Sequence, residues 1–324
     1  MKNLKLFFLL ALIIFSSKTF SQKVIEDYKP LKNDSLRIGI KDSDFLPFIQ
    51  SGYTLMLPEN KSINSTLIFL EDSGFDKKNK NSKELYKLAS YKGFAVLSVS
   101  TEIPFDFYFT KASMRSTHDL IKEVFTKYKL PNKNVFFLGA SLIGHRAMRY
   151  IKFMKENNQN FQLNIKGLVI CNFTLDWTRK WHQHEREIRI KRNHLWEPKF
   201  INYMLETYLK GIPKTASENY HDFSSYSYFD EKNRNIKLFK NYAIRAYIEP
   251  AIKYRLTKKL QTLYENNSTD MVGFLAELEL AGNKNTSLIV LQPEENSTKE
   301  KSVQTTWGRM NKTELLNWIQ KQIE

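Results

Sequence analysis

Val135-Phe136-Phe137-Leu138-Gly139-Ala140-Ser141-Leu142-Ile143-Gly144-His145 is the stretch on which the reading of this chain turns. The run to Leu138 is apolar and β-prone, Gly139 and Ala140 are small, and a helical pattern opens at Leu142, so a strand, a sharp turn and a helix are expected in succession. A serine on such a turn is pushed out where a nucleophile would stand, and the tight crossing of strand and helix demands small neighbours. Gly139 and Ala140 meet that demand. Ile143 does not, and the second glycine arrives one place later, at Gly144. A serine hydroxyl is a poor nucleophile until an adjacent base takes its proton. Beyond Ser141 the histidines are His145, His182, His184, His194 and His221, and none follows to the C-terminus.

Outward from this turn, apolar runs alternate with helical patterns. Strands are predicted at 53–57, 66–70, 93–99, 165–171, 242–248 and 287–291, with helices at 83–90, 116–128, up to about 155, from Asp270 as cap to Gly282, and at 313–323. Such alternation predicts an α/β fold, a mostly parallel sheet with helices on both faces. The pattern breaks from about 172 to 241, where no strand is expected and the helical stretches are rich in Trp, Tyr and basic residues. Neither internal repeats nor low-complexity segments interrupt it.

The N-terminus reads as a signal peptide over 1–21: Lys2 and Lys5 are followed by the apolar run Leu6–Phe15 and a small-residue cleavage region at Thr19-Phe20-Ser21. That run is short of the ~20 residues that span a bilayer, and no other stretch is long enough, so no transmembrane segment is expected. Cys171 is the only cysteine and lies far from the leader, which excludes an N-terminal lipid anchor and any intramolecular disulfide. The expectation is a secreted or periplasmic protein, not a lipoprotein, with residues 22–324 as one domain. Cys171 closes the run Gly167–Ile170 and is expected to be a small buried hydrophobe. Loss of Lys2, Lys5 and Lys18 takes the formal charge from +16 to +13. The lysines are scattered, not banded, which points to a solvated surface and away from nucleic acid.

These features resemble secreted bacterial α/β-hydrolase-fold proteins of the esterase/peptidase kind, over the whole mature chain. The resemblance rests on Gly139-x-Ser141-x-x-Gly144, Thr174-Leu175-Asp176, Ser224-Ser225-Tyr226-Ser227-Tyr228, Tyr247-x-Glu249-Pro250, Glu277-Leu278-x-x-x-Gly282-Asn283, Trp307 and Asn317-Trp318-Ile319. It implies the α/β-hydrolase fold with a helical lid inserted at about 172–241 and Ser141 in the nucleophile position. The oxyanion hole would combine the Leu142 amide with an amide of the loop Glu71-Asp72-Ser73-Gly74-Phe75, with Asp72 nearest. A carboxylate there opposes a developing oxyanion, and a lost donor typically costs about 10²–10³ in rate. In relatives the tyrosine strand ends Glu-Pro-Asp, with the aspartate as triad acid, and a histidine stands two residues before the tryptophan. Here those positions hold Ala251 and Thr305. Losing a triad member leaves only oxyanion-hole and binding catalysis, about 10³–10⁴ over water.

The function implied is therefore an exported, catalytically impaired hydrolase-like protein that binds a small-molecule or peptide ligand in the former active-site cleft. The alternative is an active serine esterase or peptidase in which a lid histidine, His182, His184 or His221, serves Ser141 as base, oriented by Asp222 or Glu249. His145 and His118 are expected to pack. His182 and His184 stand two apart and share no helix face, which argues against a zinc pair, so neither metal nor cofactor is expected. The stretch 177–200 reads as an amphipathic lid helix with a wet basic face, or as a grip for an anion or membrane surface.

Overall fold

The computed structural model describes residues 23–30, 50–58, 62–71, 74–75, 78, 80–100, 107–157, 160–190, 195–291 and 306–324. The leader, Asp72, His194 and Thr305 lie outside them.

Among the described residues, eight strands form one sheet: β1 Lys23–Pro30, β2 Gln50–Leu57, β3 Ser65–Phe69, β4 Phe94–Ser100, β5 Lys133–Ala140, β6 Asn164–Cys171, β7 Ala243–Ile248 and β8 Thr286–Val290. Their order is β1-β2-β4-β3-β5-β6-β7-β8. From β4 through β8 every pairing is parallel, while β2 runs antiparallel to both β1 and β4. β1 was not foreseen because its sequence, KVIEDYKP, is charged; it is an edge strand with Val24 exposed.

The central strands are buried on both faces, which is why they read as continuous apolar runs and not as alternating ones. Period-2 alternation nonetheless sorts their side chains. Ala95, Leu97 and Val99 of β4, Val135 and Phe137 of β5, and Leu168 and Ile170 of β6 enter one core. That core is closed by helices α2 (Lys111–Lys127), α3 (Leu142–Glu156) and α9 (Asn267–Leu280). Phe94, Val96, Phe136, Leu138, Val169 and Cys171 enter the other, under α1 (Lys80–Tyr91) and α11 (Lys312–Lys321). Cys171 is buried, and burial holds its thiol well above the ordinary range.

Between β6 and β7 the chain runs through α4 (Trp177–Arg189), α5 (Trp196–Tyr208), α6 (Ser217–Phe223) and the short α7 (Ile236–Phe239). After β7 comes α8 (Ile252–Lys259), a helix with no buried residue, then a 3-10 turn at Leu263–Glu265. α10 (Thr306–Arg309) precedes α11. The sequence placed the cap of α9 at Asp270; the helix starts a turn earlier, with Asn266 accepting from the Ser268 amide. Asp270 is buried and serves Arg179 instead.

Candidate active site

Ser141 sits between the end of β5 and the start of α3 with φ 54° and ψ −133°. This conformation is nearly exclusive to glycine and costs about 1–3 kcal/mol in any other residue. The surroundings enforce it. The Ser141 amide donates to the Cys171 carbonyl at 3.2 Å, and its own carbonyl accepts from the Gly144 amide at 3.2 Å. A Cβ on Gly139 would lie 2.3 Å from the Gly144 nitrogen, and one on Gly144 would lie 2.4 Å from the Phe173 ring. Strand and helix therefore cross backbone to backbone, and the displaced glycine is the one that the crossing needs. Ile143 is half-buried and lines the cleft. The Ser141 side chain makes no cap hydrogen bond, and the residue is exposed.

The serine opens onto a cleft of about 630 Å³ whose walls include Phe107, Phe173, Trp177, Trp196, Phe200 and Ile201. Leu142 heads α3, so its amide has no acceptor within the helix and belongs to the positive end of the helix dipole. Glu71, from the loop after β3, also lines the cleft, and its carboxylate accepts from Lys78 Nζ at 2.7 Å and from the Tyr86 hydroxyl at 3.0 Å. Arg146 of α3 reaches back to the Leu70 carbonyl, just beyond the end of β3, at 3.3 Å. At the far end, Lys180, Glu197 and Asn267 are shared with a second, polar cleft of about 180 Å³. Burial, and then the charge of Arg179, lowers the pKa of Lys180.

Of the histidines among the described residues, only His145 lines this cleft. Its Nε2 lies 3.1 Å from the Phe107 carbonyl and its Nδ1 accepts from the Trp177 indole at 3.2 Å, so both nitrogens are engaged in the neutral form. Burial, then Arg149, holds its pKa well below the ordinary value. It joins the serine helix to the root of α4. His182 is exposed and faces another cleft, with Arg186 and Tyr264. His184 is buried, pairs through Nδ1 with Asn202 at 2.9 Å, and is pushed down to about 2 by burial. His221 lies on α6, where its carbonyl accepts from Asn235; the neighbouring Asp222 accepts from Lys152 Nζ at 2.6 Å. His118 pairs with the Tyr150 hydroxyl at 2.9 Å. None of His182, His184 and His221 is brought to the Ser141 cleft in this conformation.

The loop after β7 holds the position at which the sequence resemblance expects a triad acid, here called the acid loop. Ala251 caps α8 in the left-handed region, φ 41° and ψ 43°. Two residues earlier, the Glu249 carboxylate is buried and forms an ion pair with Arg309 of α10. Burial raises its pKa, against the pull of Arg309. Thus the loop after β7 and the segment following position 305 are joined by an ion pair. The sequence reading missed Arg309; an arginine four places after the expected histidine position was the available signal.

The motifs singled out around the helical excursion meet in one buried network. Asp176 accepts from the Arg179 amide at 3.0 Å through one oxygen, and from the Ser227 hydroxyl at 3.1 Å and Tyr228 amide at 3.0 Å through the other. Ser224 accepts from the Trp177 amide at 2.9 Å. Asp270 grips the guanidinium of the fully buried Arg179 and accepts from the Leu175 and Asp176 amides. Desolvation, then the charge of Asp270, pushes Asp176 up to about 6. The network fixes the root of α4 on α9, and Trp177 leaves it to form a cleft wall. Among the described residues no group of three or more His, Cys, Asp or Glu could hold a metal ion.

Comparison with solved structures agrees with this geometry. The chain superposes on carboxyl esterase 2 from the fungus Tuber melanosporum with a TM-score of 0.55 and 11% identity, covering 95% of this chain and 88% of that one. The same holds for a Rhizomucor miehei esterase at 0.51 and 12%, covering 97% and 91%. The chain has the α/β-hydrolase fold. A Pyrococcus horikoshii acylaminoacyl peptidase matches at 0.50 and 12%, but this α/β-hydrolase-fold chain spans only 38% of its length while 86% of the chain is covered. No protein-family model matches the sequence, and no curated protein aligns with it significantly.

Proposed function

We propose that this chain is an exported, esterase/peptidase-like protein that holds a small-molecule or peptide ligand in the Ser141 cleft and turns it over weakly or not at all. The observation that carries this reading is that the only cleft histidine among the described residues, His145, already spends both ring nitrogens on Phe107 and Trp177. Ala251 in the acid position supplies no charge, and Glu249 is committed to Arg309. The aromatic walls suit an apolar ligand body, and Lys180, Glu197 and Asn267 at the far end suit a polar terminus. The helices between β6 and β7 act as a lid in this reading.

One observation favours the alternative of an active serine hydrolase with a lid histidine as base. Ser141 keeps a costly backbone conformation and is exposed on the cleft, as a working nucleophile would be. Labelling with a fluorophosphonate probe separates the two, with Ser141→Ala as control. Impaired chemistry gives labelling no faster than that of an unactivated serine, while an aryl ester or its carboxylate product still changes Trp177 and Trp196 emission. Rapid labelling that vanishes in Ser141→Ala overturns the proposal, and His182→Gln, His184→Gln and His221→Gln then identify the base.

A further inference from the structure

We infer that α8 and the neighbouring Trp196 form an interfacial surface by which the protein adsorbs to a lipid bilayer carrying anionic headgroups. α8, Ile252-Lys-Tyr-Arg-Leu-Thr-Lys-Lys259, buries none of its residues. Ile252 and Leu256 stand four places apart on one stripe of the helix, Leu260 follows as its left-handed cap and Leu263 on the 3-10 turn, and each is more than half exposed. Four large exposed aliphatic side chains within residues 252–263 exceed the scattered exposure ordinary for a folded surface. The same helix carries Lys253, Arg255, Lys258 and Lys259 and no acid. An apolar stripe with a basic rim is the pattern of helices that lie in the headgroup region.

The surface extends beyond α8. Glu197 and Pro198, at the start of α5, and Arg255 of α8 line the same small polar cleft, so the two helices are neighbours there. Trp196, next to them, is also more than half exposed and stacks on Phe200 with ring centroids 5.2 Å apart. Tryptophan at such an edge suits the headgroup layer. Lys199 adds a further exposed cation, and Glu197 is the exposed acid that opposes it. Trp196 and Glu197 also line the Ser141 cleft, so adsorption through this surface brings the cleft mouth to the bilayer.

Charge chooses between occupants. A second copy docking face to face would set the lysines of one α8 against those of the other, a like-charge contact. An anionic headgroup layer accepts the apolar stripe and the cations together.

Sedimentation with vesicles of phosphatidylcholine alone, and of phosphatidylcholine with phosphatidylglycerol, tests this with the full protein. Binding to the anionic vesicles is expected, weakened by salt and much lower on the neutral ones. Ile252→Glu with Leu256→Glu is expected to reduce partitioning by about 10-fold or more, and Lys253→Glu with Lys258→Glu by a similar factor. All four side chains are exposed, so circular dichroism should report wild-type folding. Three results would each overturn the inference: no binding of wild type to anionic vesicles, unchanged binding by both double variants, or a dimer that Leu256→Glu dissociates. The readout is adsorption and not ligand capture, so it stands or fails independently of the reading of the cleft.

Discussion

The serine turn and the acid loop present one kind of strain put to different uses. Both place a residue other than glycine at positive φ, Ser141 at 54° and Ala251 at 41°. At Ser141 the strain is enforced from every side: Gly139 and Gly144 touch through their backbones, and the serine is left exposed on the cleft. At Ala251 the left-handed conformation carries only a methyl side chain, and Glu249 beside it is tied to Arg309. Architecture at the nucleophile position depends on backbone packing, so it persists if chemistry lapses. An acid at position 251, in the proposed reading, would depend on one side chain alone, and a single substitution would remove it.

The largest effect should come from the side that packing defends. Gly139→Val places carbons within about 2.6 Å of backbone that cannot move aside. We expect a loss of more than about 4 kcal/mol, read as an unfolded or insoluble protein by circular dichroism. A stable, cooperative variant would show that the turn is looser than its contacts imply. Next in size is Arg179→Met, which leaves the Asp270 carboxylate buried with only amide donors and Asn267 nearby. Denaturant unfolding should show a loss of about 3–5 kcal/mol, with Arg179→Met/Asp270→Leu recovering much of it. Equal losses in the single and double variants would break the argument that charge pairing holds the root of α4.

How much of this was legible in the sequence follows the same division. The Ser141 turn, the parallel core strands and the helical interruption all declare themselves through apolar runs and small residues, which act locally. The acid loop does not. Ala251 identifies itself only by resemblance to other chains, and the Glu249–Arg309 pair spans distant segments that nothing in their composition connects. Asp270 looked like a helix cap because Asp is a good one, yet a buried guanidinium outbid the cap. His184 looked available on a polar stretch; α5 covers it and Asn202 takes its ring.

The buried histidines give a pH prediction of intermediate size. His184 is held down to about 2 and His145 well below its ordinary value, so neither takes up a proton in the folded state over the mildly acidic range. In the unfolded chain both do so near pH 6.5. The sign follows: stability is full above about pH 6.5 and falls as pH drops below it, by about 1.4 kcal/mol per pH unit for each such histidine. Asp176, pushed up to about 6, works in the opposite direction, since its folded form gains the proton first and recovers stability as pH falls through that value. Thermal melts of wild type and His184→Gln between pH 7 and about pH 4.5 should converge as pH falls. Parallel curves would mean that His184 is accessible to protons, and so nearer to the role of a lid base.

The smallest effects concern the strain itself and bear most directly on the comparison. Ser141→Gly removes a Cβ from a conformation nearly reserved for glycine, and Ala251→Gly does so in the milder left-handed region. Glycine also loosens the unfolded chain, which subtracts about 0.5–1 kcal/mol from each gain. We expect a net stabilisation of about 1 kcal/mol for Ser141→Gly and a change near zero for Ala251→Gly, read from denaturant midpoints at constant slope. If Ala251→Gly stabilises as much as Ser141→Gly, the acid loop is under the same compulsion as the nucleophile turn, and the two regions have not parted as the geometry implies. If Ser141→Gly gains nothing, the exposed serine is held at little cost, and its retention needs no appeal to a working nucleophile.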